Sequence, residues 1–589
     1  MEENGNELTM HDIYSPVDSY RTNYRQQHNE STISLFDEMV EKSQIDIEAN
    51  RATNKKISDN NGQTSNTNKS IKRRKNLKTF AIVLLIISII AIVVSVVQIQ
   101  TVYNVSMYIG IIVLAVAFII LSILIIKKAK ERLSELGNVK DKLLEISKKL
   151  HSEADEQMLP LNRLLLKNYN TELFSKTIPL VKFDKMFDSK RLDYMTGKFG
   201  LNAAQHAQNI EQSTLFVQSG EIKGNPFFIR EKLQHTMGTK TYQGSLTIHW
   251  STTERDSNGN RRTVNHSDTL YANVNKPCPY YANSSHLVYG NEVGDKLSFS
   301  REPSNVQELK ERKLEKLIAK RSKEIQKLSE KSTKKGGTFT ALGNNQFDAL
   351  FYAKDRDNES QFRLLFTPLA QQELIKMIKD SEVGFGDDFA FLKRKMINFI
   401  YPDHLKNSKL NVKDDYFTGI DYDKVRSRFI DYHNSYFKHI FFTFAPIFAV
   451  PLYTQHQTQE YIYKDLYDSN VSFYEHEMVA NCIDIDEIKP AGLVTYNIIK
   501  TSLESSQDNV DALNVHVWGY RTEERVDYIS KYGGDGRWHK VPVYWTEYIA
   551  VDKKSRVEVK VAKNGESSNA EQATESWDRV GNILARIVK

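Results

Sequence analysis

The sequence predicts an α+β fold: a two-helix transmembrane hairpin followed by mixed, β-rich domains. Three observations carry this. Two uncharged apolar runs lie at 80–97 and 109–126. Strand-like alternation recurs beyond them, at 245–250, 514–520 and 548–561. Apolar residues return at helical spacing at 309–328 and 425–440. The 589 residues suggest about four domains. The mean hydropathy of −0.50 argues against a polytopic transporter. The 80 basic and 74 acidic residues are too balanced to argue for nucleic acid. Two cysteines, Cys278 and Cys482, suit a reducing compartment and exclude a disulfide scaffold.

Residues 1–70 carry 12 acidic and 7 basic side chains among Asn, Ser, Thr and Gln. This composition predicts a disordered cytoplasmic tail, with one short helix starting at Ser34. The transmembrane hairpin occupies 71–132. Each 18-residue run reaches about 27 Å as a helix, so flanking residues extend the spans to 79–97 and 107–126. Arg73 and Arg74 precede the first span, and Lys127 and Lys128 follow the second. The connection at 98–106 is uncharged, so the positive-inside rule places both termini in the cytoplasm. No ionisable residue lies within either span, which leaves an anchor without a proton or ion path. Ala115 and Ala117 suggest no helix-packing motif.

A charged juxtamembrane helix is expected over 133–168, from Leu133, Leu136, Leu143, Ile146 and Leu150. Lys140 and Ser147 weaken a coiled-coil seam in it. An α+β domain follows at 170–410. Its loops are marked by Asn225-Pro226 and Gly238, and its first hairpin turns at 256–260. A basic helix at 304–335 is inserted in it, with Ser304 as N-cap and Gly336-Gly337 as stop. Its 310–335 portion has 11 basic and 4 acidic residues and could meet membrane phosphates, RNA or an acidic partner.

The stretch 345–370 contains Asn-Gln-Phe-Asp-Ala-Leu-Phe-Tyr-Ala-Lys-Asp-Arg-Asp and then Gln-Phe-Arg-Leu-Leu-Phe-Thr-Pro-Leu-Ala. It reads as a charged strand end and a turn into a helix at 371–379. With the hairpin ahead of it, this stretch resembles a galanin-like bacterial membrane family of unknown function. That resemblance implies a two-helix anchor with a cytoplasmic α+β domain. It supplies no catalytic residues.

Residues 411–562 form a second, aromatic-rich β-containing domain. Its apolar run at 440–452 is too short to span a membrane and is interrupted by Pro446 and Pro451. A linker and an amphipathic helix are expected over 563–589.

Two groups carry candidate chemistry. Glu475, His476, Glu477 and Asn481 lie on one predicted helix. The zinc-protease signature fails there because Ala480 stands where the second His is required. Asp535, Arg537 and His539 surround a glycine turn. Asp387-Asp388 offers a weaker cation site. Trp250, Trp518, Trp538 and Trp545 read as core positions rather than a stacking platform. No phosphate loop, dinucleotide fingerprint or Cys-x-x-Cys pair occurs, and no cofactor is expected. The expected role is recruitment of protein partners to the inner membrane surface. Anionic lipid at the basic segments and self-association are further expected contacts. The alternative is a membrane-tethered hydrolase, metal-dependent or not.

Overall fold

A computed structural model describes residues 13–99, 105–255, 261–458, 471–507, 510–561, 577–580 and 583–588. The 256–260 turn, most of the 98–106 connection and the 563–570 linker lie outside the described residues. The fold is α+β, and the chain divides into two compact units. One comprises Ser34–Leu166 with Asp415–Asp431. The other comprises Met1–Ile33, Lys167–Asp414 and Tyr432–Lys589.

The first unit is helical. Helices α1 (Arg25–Ser43), α2 (Ile47–Ile99) and α3 (Val105–Leu164) dominate it, with the residues of α1 before Ser34 falling in the other unit. Helices α2 and α3 run antiparallel. Asn60 donates to the Leu143 carbonyl at 3.0 Å, and Gln157 donates to Thr53 at 3.2 Å. Both helices are long and apolar enough to cross a membrane. Along the apolar stretches and just past the second, the buried residues are small. Ala81, Ser88 and Ser95 on α2 recur every seven residues, as do Ala115, Ser122 and Ala129 on α3. Small side chains let two backbones approach without a hydrophobic driving force, as packing in lipid requires. The sequence reading found no such motif because it considered one helix alone. At the polar end, Phe36 packs on Phe429 at 5.4 Å, and Arg51 pairs with Asp423 at 2.8 Å.

The second unit holds two antiparallel sheets. The seven-stranded sheet uses β1 (Val181–Phe183), β2 (Gln212–Ile222), β3 (Asn225–Arg255), β4 (Arg261–Gly290), β5 (Ser298–Arg301), β6 (Phe389–Arg394) and β7 (Ile397–Pro402). Its order is β1-β2-β3-β4-β7-β6-β5. Strands β2 and β3 are joined by Lys223 and Gly224, both at positive φ, in the two-residue hairpin geometry that favours glycine. Helix α4 (Glu311–Lys334) follows β5, and α5 (Pro368–Lys379) precedes β6. Helix α6 (Tyr422–Phe448) passes through Pro446, and its 440–448 portion is buried. Helix α7 (Phe473–Cys482) leads to the five-stranded sheet, formed by β8 (Ile498–Gln507), β9 (Val510–Tyr532), β10 (Trp538–Val561), β11 (Asp578–Val580) and β12 (Ile583–Val588). Its order is β11-β12-β10-β9-β8.

Several expectations are corrected. Residues 16–70 are almost entirely helical rather than disordered. They lack a core of their own but lend rings to distant partners. Within the second unit, Tyr20 packs on Phe441 at 5.2 Å and His28 stacks on Phe437 at 4.0 Å. The 583–588 segment is a strand, not an amphipathic helix. Pairing with Val561 and Val559 of β10 buries Ile583 and Ala585 and overrides local helical spacing. Residues 345–351 and 359–365 are helical, with Arg356 buried between Asp348 and Glu359 at 2.8 Å each. Asn225, Pro226 and Gly238 lie inside β3 rather than in loops. Ser304 does not cap α4, whose N-cap is Lys310. Ser304 instead accepts from Arg321 at 2.7 Å. The stop holds. Gly336 has φ +72, and Gly337 N–H reaches the Ser332 carbonyl at 2.9 Å. The boundary expected at 410/411 does not separate the two sheets, which share one unit.

Candidate functional site

Helix α7 begins at Ser472, whose hydroxyl accepts from Glu475 N–H at 3.4 Å. It packs against β2 and β8. Its apolar side, including Val479 and Ala480, joins a cluster with Ile499, Leu513, Val515, Val557 and Ile583. The charged residues are therefore carried into the interior, and each finds its own partner. Glu475 accepts from Phe187 N–H at 3.1 Å, and burial raises its carboxyl to about 8. His476 meets Asp511 at 3.1 Å, and Ser506 donates to the same carboxylate at 2.6 Å. Burial pushes Asp511 up, but the hydrogen bonds from His476 and Ser506 outweigh it and hold the carboxyl below its usual range. Glu477 accepts from Thr214 N–H at 3.0 Å and Oγ1 at 2.9 Å, and pairs with Lys500. Asn481 donates to Ser213 Oγ at 2.8 Å and to the Thr214 carbonyl at 3.0 Å. Beside them, Arg230 donates to Thr214 Oγ1 at 3.0 Å and lies over the Tyr474 ring at 4.7 Å. These four helix residues are spent on joining α7 to the Phe187 segment and to β2, β8 and β9. Among the described residues, no group of three or more His, Cys, Asp or Glu is placed to hold a metal ion.

The acidic pair of the weaker cation site is divided in the same way. Asp387 is buried against Arg301, and Asp388 meets His404 at 2.5 Å. A cavity of about 210 Å³ lies beside Asp184, Met186, Asp188 and Arg191. It is smaller than the roughly 300–1,000 Å³ of ordinary ligand pockets. Its Arg191 fork is filled by Asp184 at 2.7 Å and Glu221 at 3.1 Å.

The other candidate group sits at the end of the β9–β10 ribbon. Register pairs Tyr532 with Trp538 across the glycine turn. His539 Nε2 meets Asp535 at 2.9 Å, and that hydrogen bond holds the Asp535 carboxyl below its usual range. A Cβ on Gly533 would come within 2.6 Å of Ile248, and one on Gly534 within 2.8 Å of Trp250. The glycines thus let the turn lie directly on β3. Among the described residues, no hydrogen bond or ion pair joins this turn to the α7 group.

The ribbons β3–β4 and β9–β10 pack face to face as a two-layer arm. Because side chains alternate, each ribbon has an inner and an outer row. Inner residues Ile248, Leu270, Ala272, Val541 and Val543 form the seam, and Lys276 crosses it to Asp527 at 2.7 Å. The outer row of β3–β4 is uncharged and mostly polar, at Thr241, Gln243, Thr247, Thr269, Asn273 and Asn275, with one ring, Tyr271, 58% exposed among them. The outer row of β9–β10 differs. Val526 pairs with Tyr544, Tyr528 with Pro542 and Tyr532 with Trp538. Tyr528 and Tyr532 are each 61% exposed, Tyr544 68% and Trp538 70%. Trp538 is therefore outside the core, contrary to the sequence reading. Trp250, Trp518 and Trp545 are only half-buried.

Sequence reasoning missed this aromatic ladder. Its signal was present as aromatics at 528, 532, 538 and 544, all in even register. The odd positions Ile529, Val541 and Val543 are also apolar, so alternation alone did not say which row faces out. No family model, no curated protein and no solved structure matches the chain.

Proposed function

We propose that this chain is a membrane-anchored binding protein that captures a protein partner on the aromatic ladder of its β arm. The supporting observation is the ladder itself. At roughly 150–250 Å² per aromatic side chain, its four exposed rings present on the order of 500 Å². The largest apolar patch on a typical monomer, about 300–600 Å², is often functional. Tyr and Trp are also the residues that most often carry interface energy. Arg537, Lys531 and Lys540 border the patch and form a polar rim. Two further considerations support a cytoplasmic body. Arg73, Arg74, Lys127 and Lys128 flank the spans, and the hairpin ahead of residues 345–405 resembles the galanin-like bacterial membrane architecture.

Photo-crosslinking in cells tests the binding. A photoreactive side chain placed at Tyr528 or Tyr544 is expected to yield protein adducts. The same group at Thr247, on the polar outer row, is expected to yield none. Equal adducts at both faces, or none at either, would overturn the reading. An adduct of twice the chain mass would identify the partner as a second copy. Topology is tested through the exposed Cys482, since Cys278 is buried. A membrane-impermeant thiol reagent should label Cys482 only after the cells are opened. Labelling in sealed cells would place the body outside.

A further inference from the structure

We propose that the basic face of α4 binds the anionic phosphate headgroups of the membrane that holds the anchor. At about 100° per residue, Lys316, Lys320, Lys323, Lys327, Lys331 and Lys334 fall on one arc of the helix. Arg312 and Lys313 extend the arc at its N-terminal end. All eight are exposed, and no ion pair within 4.0 Å joins them to a described carboxylate, although Lys320 is close enough to Glu324 to help the Tyr352 hydroxyl hold its carboxyl below the usual range. The one acid inside the arc is Glu330. Glu324, at its edge, is hydrogen-bonded by Tyr352. The six lysines span about 27 Å along a straight helix.

The opposite side of α4 fixes the helix to its unit. Ile325 is buried, and Leu314, Leu317, Ile318 and Leu328 are half-buried. Arg321 also points there. It donates to Ser304 at 2.7 Å and to the Ala349 carbonyl at 3.3 Å, and lies 4.2 Å from the centre of the Tyr352 ring. One cation of the helix is therefore used internally, while the lysine row is left for a partner.

The chemistry of the row favours lipid. No aromatic side chain is interleaved with the lysines, so bases would find no stacking platform. Lysine is a compact point charge suited to a diffuse anionic surface, whereas arginine forks serve directed phosphate recognition. The face carries no large apolar residue, so it would rest at headgroup level without insertion. This inference rests on the anchored, cytoplasmic reading above, which puts α4 on the side of the membrane whose leaflet is richest in anionic lipid.

The test uses the full chain in lipid nanodiscs. A fluorophore is attached at Ala319→Cys, beside the arc, in a Cys482→Ser background. Lipids carrying a headgroup nitroxide act as quencher. Each lysine that engages contributes roughly fivefold to partitioning onto an anionic surface. Replacing a zwitterionic bilayer by one with anionic lipid should raise quenching about fivefold or more. The rise should vanish in 1 M salt, where screening is about 3 Å, and in the variant K316E/K320E/K323E/K327E. The milder variant with Gln at the same four positions should show an intermediate rise. Quenching that ignores lipid charge would overturn the proposal. So would a probe that responds to added single-stranded RNA in zwitterionic discs but not to anionic lipid, which would assign the face to nucleic acid. Failure of the chain to enter discs at all would overturn the anchor reading first, and this inference with it.

Discussion

Helix α7 and the tip of the β9–β10 ribbon were equally prominent as sequences, and the structure treats them in opposite ways. Glu475, His476 and Glu477 are buried, and every one of them has a partner. At the ribbon tip the ionisable pair Asp535–His539 only fastens the turn, while the neighbouring rings of Tyr532 and Trp538 face solvent. Residue types able to do chemistry were gathered where the protein needs cohesion. The rings left facing solvent are side chains with no chemistry to advertise. Burial and prior commitment, not residue type, separate a strut from a contact surface.

The sharpest way to break this contrast is to remove a strut. Glu477→Ala strips the buried counter-charge from Lys500 and the acceptor from Thr214. Breaking a buried pair costs about 3–5 kcal/mol, and the partial exposure of Lys500 places the expectation near the lower end. Denaturant unfolding of the full chain in micelles would show it as a lower midpoint. A loss under about 1 kcal/mol would mean that Glu477 is not structural and would reopen α7 as a site.

Comparable in size is a pH effect. Burial raises Glu475 to about 8 in the folded chain, against an ordinary glutamate value in the unfolded one. Between those values the folded state holds the extra proton, so stability falls as pH rises through the window. The contribution is fully present below the unfolded pKa and lost once pH passes about 8. The expected loss is on the order of 5 kcal/mol across the window. Glu475→Gln should flatten that slope and make the variant the more stable chain at pH 9. Parallel slopes for both proteins would refute the assignment.

How much of this was readable beforehand follows from where the information sits. The two long apolar helices were legible, at 79–97 and 107–126, because a run of eighteen uncharged residues leaves few alternatives to a helix. The Gly336 stop of α4 and the ribbon turn at 533–536 were legible because glycine geometry is local. The helices before residue 70 were not, because Tyr20, His28 and Phe36 are stabilised by rings some four hundred positions away. Strand β12 was missed for a related reason. Its helical spacing was real, but pairing with β10 decided the outcome. The small-residue seam of α2 and α3 needs both helices in register before Ser88 and Ser122 acquire meaning. For the candidate residues, sequence gave the membership of each group and concealed its burial.

A smaller effect probes the arm itself. A Cβ on Gly244 would lie 2.0 Å from the Pro542 carbonyl oxygen, which is backbone and cannot swing aside. Gly244→Ala should therefore push the ribbons apart at a cost of about 1–3 kcal/mol. Faster amide exchange at 241–250 and 539–545, with α7 unaffected, is the expected signature. An unchanged exchange pattern would show that the seam between the ribbons does not hold the arm together.

The smallest stability effect is expected where the functional effect is greatest. Tyr528→Ser with Trp538→Ser removes two rings that are mostly exposed and do not enter the seam. Surface changes of this kind stay within about 0.5 kcal/mol, so the unfolding midpoint should hold. If those rings anchor a partner, losing each costs about 2 kcal/mol or more of binding, roughly thirtyfold in affinity. Partner adducts from a photoreactive group at Tyr544 should then fall sharply while the fold persists. The pairing of outcomes matters more than either alone. A variant that unfolds would return Trp538 to the core where the sequence had placed it. A stable variant that still captures its partner would leave the ladder an exposed surface without a role. Stability kept and capture lost is the combination that only a contact surface produces, and it is the inverse of what Glu477→Ala should do at α7.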